Sequence, residues 1–253
     1  MPTSVSPKRI TLEVCVTTAD EAVGAVAAGA DRLELCSALE VGGVTPSPGT
    51  FLDVRAAVAV PLFVLLRPRP GGFSYSPHEW ATVRRDADWF LTHGADGIVG
   101  GALTGLGAEH RPRTLHRERC QELVRAAGGR AVLHRCFDVL ADFRKGLAAA
   151  LDMGFSRVLT SGGAASAIDG AGVIREVIRR SAGRIEVLPG GGIHFGNVAE
   201  VVAATGCDQV HGSFRTAIPT ARHPLTDAMG PETITDPTKV EAVRRVLDRL
   251  SAR

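Results

Sequence analysis

The sequence predicts an α/β fold of the (β/α)8 barrel class, built as a single domain. Eight short apolar runs alternate with longer amphipathic stretches along the chain, which is the pattern of parallel strands joined by helices. A glycine lead-in recurs before strands, as Gly29-Ala30-Asp31, Gly94-Ala95-Asp96, Gly154-Phe155-Ser156 and Gly206-Cys207-Asp208; glycine closes a helix because it accepts a left-handed backbone. The length, 253 residues, matches the roughly 250 residues of such a barrel. Two smaller domains would also fit the length. A doubly wound open sheet is the competing architecture. It often carries a glycine fingerprint after its first strand, and Cys15-Val16-Thr17-Thr18 has none.

The eight strands are expected over residues 12–16, 32–36, 61–66, 97–100, 131–134, 157–160, 186–189 and 209–211. The third is the most telling. Its apolar run, Leu62-Phe63-Val64-Leu65-Leu66, ends abruptly in Arg67-Pro68-Arg69-Pro70-Gly71-Gly72, so two guanidiniums sit where a buried strand meets a loop. Helix starts are marked by Thr18 with Glu21 and by Ser76 with Glu79, which match the capping box. Pro48, Pro77 and Pro237 each follow a Ser or Asp, as a first-turn proline follows an N-cap. The last helix is expected from Pro237 to Leu250, with Val240, Val243, Val246 and Leu247 on one face. Residues 1–11 read as a flexible tail, and residues 12–253 as the barrel domain. Two connections, 101–113 and 212–236, are long enough to be functional loops; the second reads as a lid or a subunit contact.

Composition excludes several classes. The formal net charge is +2 with basic residues scattered, which argues against nucleic acid or an acidic membrane surface as partner. No stretch approaches the roughly 18 apolar residues of a membrane span, and the polar start lacks a signal peptide's apolar core. The five cysteines, Cys15, Cys36, Cys120, Cys136 and Cys207, form no CxxC. An odd number without paired spacing points to free thiols in a reducing cytosol.

In a barrel of this class the active end is the C-terminal end of the strands, and polar residues gather there. Leu12-Glu13-Val14-Cys15 and Leu33-Glu34-Leu35-Cys36 each place a Glu and a Cys on one face of a strand. If that face is the interior, two carboxylates and two thiols enter an apolar barrel on adjacent strands and require partners. Arg67, and His134 with Arg135 and Asp138, are the candidates. Thr160-Ser161-Gly162-Gly163, Gly190-Gly191-Gly192 and His211-Gly212-Ser213 follow the sixth, seventh and eighth strands; turns of this kind present backbone N–H groups to an anion. Two readings follow. As an enzyme site, Glu13, Glu34, His134 and Asp138 supply proton transfer, while Arg67, Arg69, Ser161, Gly190, Gly191 and Gly192 hold a small anionic or phosphorylated metabolite. As plain structure, Glu13 and Glu34 neutralise Arg67 and Arg135, Cys15 and Cys36 are small core residues, and His134 and His211 are hydrogen-bonded core histidines. Cys120, Cys136 and Cys207 read as packing.

These segments, with Gly42-Gly43-Val44-Thr45-Pro46-Ser47, His134-Arg135-Cys136-Phe137-Asp138, Arg157-Val158-Leu159-Thr160-Ser161-Gly162 and Pro189-Gly190-Gly191-Gly192-Ile193, resemble the CutC copper homeostasis family from about Leu12 to Arg215. The resemblance implies a cytosolic barrel linked to copper handling, usually self-associating, in which Cys15 and Cys36 are the residues proposed to bind Cu(I). Soft thiolates suit that ion, and neighbouring strands lie about 4.8 Å apart. The chain departs from the family's usual pattern at Cys136, Pro70 and Gly72, where Ala, Gly and Asp are usual.

Overall fold

The computed structural model describes residues 9–105, 113–219, 223 and 230–252. Most of the expected N-terminal tail (1–8) lies outside them. So do the middle of the first long connection (106–112) and, in the second, 220–222 and 224–229.

All eight expected strands are present: β1 Thr11–Val16, β2 Arg32–Leu35, β3 Leu62–Leu65, β4 Gly97–Gly100, β5 Ala131–Leu133, β6 Arg157–Thr160, β7 Glu186–Pro189 and β8 Gln209–Gly212. They pair in parallel in the order β7-β6-β5-β4-β3-β2-β1-β8, and a parallel bridge between Gly190 and His211 joins the two ends. The sheet is therefore a ring, and the open-sheet alternative is excluded. Around it run α1 Ala19–Ala27, α2 Pro48–Ala57, α3 Pro77–Thr92, α4 Arg117–Ala126, α5 Phe143–Met153, α6 Ala171–Ser181, α7 Val198–Thr205 and α8 Pro237–Ser251. Strand side chains alternate between two cores, as period two requires. Leu12, Val14, Leu33, Leu35, Leu62 and Val64 pack outward against the helices. Cys15, Cys36, Phe63, Leu65, Val99, Val132, Leu159 and Leu188 fill the interior.

The glycine lead-ins do more than end helices. Gly29, Gly94, Gly154 and Gly206 all have positive φ. The residue two positions later then fastens the foot of a neighbouring strand. Asp31 Oδ2 accepts the Leu12 N–H at 2.8 Å, Asp96 Oδ2 accepts the Leu62 N–H at 2.8 Å, and Ser156 Oγ donates to the Ala131 carbonyl at 2.9 Å. These locks sit at the N-terminal ends of strands, which leaves the opposite rim to loops.

Helix caps follow the expected chemistry, with one instructive exception. Ser76 and Glu79 make the full reciprocal box, and prolines occupy the first turn of α2, α3 and α8. Thr18 caps α1 by accepting from the Glu21 N–H, but Glu21 does not return the bond to Thr18. Its buried carboxylate takes the Thr17 N–H at 2.6 Å, the Thr235 N–H at 3.1 Å and Arg215 Nη1 at 3.1 Å. This anchors an antiparallel ribbon, β9 Arg215–Ala217 with β10 Thr233–Thr235. The segment 212–236, expected as loop throughout, thus contains a short ribbon tied down beside the mouth of β1 and β8.

Candidate functional site

The conditional expectation for β1 and β2 is met: Glu13, Cys15, Glu34 and Cys36 all point into the barrel and are buried. The register puts Glu13 opposite Arg32 on one side and His211 on the other. Arg32 Nε donates to Glu13 Oε2, and its Nη2 donates to Gln209 Oε1 at 2.8 Å. Arg157, anchored on Glu186 at 2.7 Å, brings its Nη1 to 3.9 Å from the same Glu13 oxygen. The other oxygen, Oε1, lies 2.8 Å from His211 Nδ1. Glu34 Oε2 lies 3.6 Å from that same nitrogen, and its Oε1 accepts from the Cys36 thiol at 3.6 Å. Cys15 and Cys36 then close the stack with their sulfurs 3.1 Å apart.

Two carboxylates so close experience opposite environments. Burial by itself would raise the Glu13 carboxyl, but Arg32, the His211 contact and Arg157 together hold it well below the ordinary carboxylate range. For Glu34 burial prevails, opposed by His211 and reinforced by Glu13, and its carboxyl is pushed up to about 7. Burial disfavours charge on the His211 ring, yet the Glu13 hydrogen bond and the charges of Glu34 and Glu13 outweigh it and raise its pKa. The Cys36 thiol is pushed well up by burial. In Cys15 the hydrogen bond with Cys36 lowers the pKa, but burial and the nearby Glu34 and Glu13 charges raise it overall.

Above this stack lies a cleft of about 1010 Å³ at the C-terminal rim. Cys15 and His211 form part of its floor, Gly191 and Gly192 part of one wall, and Arg135, Arg215 and Lys239 bring positive charge to it. Two of these cations are engaged, Arg215 with Glu21 and Lys239 with the Arg215 carbonyl. Arg135 is held from behind. Its Nε donates to Asp138 at 2.9 Å and its Nη2 to Ser161 Oγ at 2.6 Å. Asp138 in turn accepts from the N–H groups of Ser161 and Gly163 at 3.0 and 3.2 Å. Gly191 has φ +107°, a backbone conformation that favours glycine, and a Cβ there would stand 3.3 Å from the Ser161 Cβ.

The structure therefore brings Glu13, Glu34, Cys15, Cys36, Gly191 and Gly192 to one place and puts the remaining candidates around it. Asp138 and Ser161 are braces for Arg135, and Gly190 forms the seam with His211. Arg67 is buried, with its guanidinium on the carbonyls of Val41, Gly43 and Gly71 at 2.7 to 3.0 Å. Arg69 pairs with Glu79 and donates to the Ser74 carbonyl at 2.9 Å. Both arginines stitch loops, and neither is among the residues lining the cleft. His134 is buried against Phe73, ring centroids 4.7 Å apart, and its Nδ1 accepts the Cys136 N–H. Burial depresses its pKa to about 4. The partners of Glu13 are Arg32 and Arg157 rather than Arg67 and Arg135. Arg32 and Arg157 were legible only as charged first residues of otherwise apolar strands, and Lys239 carried no signal.

Comparison with known proteins places this barrel. The model of the CutC family matches residues 10–216, close to the limits at which the resemblance was expected to hold. A CutC protein of Treponema denticola is 42% identical over 205 residues, 81% of each chain. The copper homeostasis protein cutC homolog of Caenorhabditis elegans is 39% identical over 249 residues, 97% of this chain and 96% of its own, so that similarity continues through the ribbon and α8. The human protein of the same description is 41% identical over 206 residues, 81% of this chain and 73% of its own. Among solved structures, CutC from Streptococcus agalactiae superposes with a TM-score of 0.74 at 28% identity, covering 81% of this chain and 98% of that one. Phosphoribosylanthranilate isomerase from Pyrococcus furiosus, at 17% identity and TM-score 0.56 over 95% and 99% of the two chains, shares the barrel fold alone. On the family match and these identities, the chain belongs to the CutC family.

Proposed function

We propose that the chain serves copper homeostasis, as its nematode and human relatives are named for, and that it seats Cu(I) at Cys15 and Cys36. The observation that carries this reading is the pair of sulfurs 3.1 Å apart on adjacent strands, with Cys15 in the floor of an open cleft. The donors fit the ion in kind, since soft sulfur ligands select Cu(I). They are closer than two metal–sulfur bonds of about 2.3 Å set in line, so a two-coordinate ion requires the side chains to part. Burial keeps both thiols protonated, so loading releases protons. A reducing compartment suits such free thiols. An anaerobic Cu(I) titration against a competing chelator tests the reading. One ion per chain is expected, with affinity reduced by about 100-fold or more in the Cys15→Ser, Cys36→Ser double variant. Unchanged affinity in that variant removes these two residues as ligands.

A second reading is favoured by the cleft itself. Its volume, about 1010 Å³, is that of a small-molecule site rather than an ion site. Arg135, braced from behind, and the Gly191–Gly192 backbone offer a place for an anionic group. On this reading the chain is an enzyme for a small anionic metabolite. A thermal-shift screen beginning with inorganic phosphate and sugar phosphates is the measurement. A true ligand at 100 times its Kd adds about 2.7 kcal/mol of stability, a rise of several degrees, and Arg135→Gln should abolish it. If no anion moves the melting point, the cleft is not an anion site.

A further inference from the structure

One buried carboxylate beneath the cleft has no cation of its own. Glu13 is served on one oxygen by Arg32 and on the other by His211. Glu34, only 4% exposed, has neither arginine nor lysine in ion-pair contact among the described residues. Its contacts are the Cys36 thiol and, at 3.6 Å, an imidazole nitrogen already committed to Glu13. A charged carboxylate so placed requires a proton or a metal ion.

We propose that Glu13, Glu34 and His211 form a binding site for a divalent transition-metal ion of the Mn2+, Fe2+ or Zn2+ class at the floor of the cleft. One ligand atom from each of the three lies within 4.8 Å of the others, and His211 Nδ1 stands 2.8 and 3.6 Å from the two carboxylates. An ion bonded at about 2.0–2.2 Å separates neighbouring ligands by about 3.0 Å at right angles and about 3.5 Å in a tetrahedron, so the observed spacings bracket one coordination shell. Carboxylate and imidazole donors suit these divalent ions as thiolates suit Cu(I). Arg32, itself held by Gln209, takes Glu13 Oε2 and leaves Oε1 toward the site, which fixes the ligand's orientation. His211 also lines the cleft, so the three ligands sit directly beneath the space where a small molecule would bind. The site has a donor set different from the cysteine pair and depends on neither reading above.

Mn2+ is the probe, because its oxygen and nitrogen preference separates this site from the thiols. Titration of the full chain followed by electron paramagnetic resonance should show about one Mn2+ bound per chain. Binding should persist in the Cys15→Ser, Cys36→Ser double variant and weaken by about 100-fold or more in Glu34→Gln and in His211→Gln. Unfolding midpoints of the metal-free variants check that each is folded. A nitrogen coupling from a directly bound imidazole in the spin-echo spectrum of the wild-type complex provides a readout that needs no variant. Absence of Mn2+ binding, absence of that coupling, undiminished binding in both ligand variants, or loss in the cysteine variant would each overturn the assignment.

Discussion

Glu13→Gln is expected to lower the stability of the barrel by about 3–5 kcal/mol at neutral pH. The residue is 2% exposed, and the two guanidiniums beside it, Arg32 and Arg157, are 8% and 6% exposed. Removing the one carboxylate they share leaves positive charge inside an apolar ring. Gln209 offers Arg32 only a neutral oxygen, and Glu186, which serves Arg157, is itself half exposed at the barrel foot. Glu79→Gln is the control. It removes the Arg69 pair, whose side chains are 34% and 29% exposed, and such pairs contribute less than about 1 kcal/mol. Urea unfolding at unchanged m-value measures both, and a loss under 1 kcal/mol for Glu13→Gln would show that the interior arginines find other partners. The pH dependence has a definite sign. The Glu13 carboxyl sits below its ordinary value of 4.5 in the fold, so its stabilisation is present above that pH and is lost as the pH falls toward the depressed value.

The strands were legible because buried parallel strands are short continuous apolar runs, and β2, β4 and β6 are each preceded by a glycine and by an Asp or Ser that fastens a neighbour. The pairing of Glu13 with Cys15, and of Glu34 with Cys36, on one face was legible because strand side chains alternate strictly. Which cations would meet those carboxylates was not. Arg32 faces Glu13 through the stagger of β1 against β2, and Arg157 arrives from β6 across the ring; neither relation exists in one dimension. Arg67 and Arg69 looked like an anion site because two arginines follow a strand. The glycines and prolines around them instead expose carbonyls, and Arg67 turns back onto those of Val41, Gly43 and Gly71. The ribbon of β9 and β10 left no alternation to detect, since each strand has three residues. What fixes it is Glu21, on another element, whose sequence position suggested only a capping role. His211 was visible as a polar strand end, but its place between two carboxylates required the pairing of β8 with β1.

Glu34→Gln is expected to change stability in the opposite sense from Glu13→Gln, and only on the alkaline side. In the folded chain the Glu34 carboxyl keeps its proton up to about 7, against an ordinary value of 4.5. Between those values the native state binds more protons than the unfolded chain, so stability falls as the pH rises. A gap of that size corresponds to about 3 kcal/mol at 1.36 kcal/mol for each pH unit. His211 works in the same direction: its pKa is raised in the fold, and the stabilisation it provides at acid pH is lost as the pH climbs through that raised value. Glutamine keeps the shape and carries no charge to desolvate. The variant should therefore approach the wild type below about pH 4 and exceed it by up to about 3 kcal/mol at pH 8, measured by urea unfolding at both pH values. Parallel declines in the two proteins would mean that Glu34 is already charged in the fold at neutral pH. The same titration also separates a proton from a metal as the compensating charge. Mn2+ at a concentration that saturates the wild type should raise wild-type stability at pH 8 by mass action and move Glu34→Gln far less, because the variant lacks one of the three ligands.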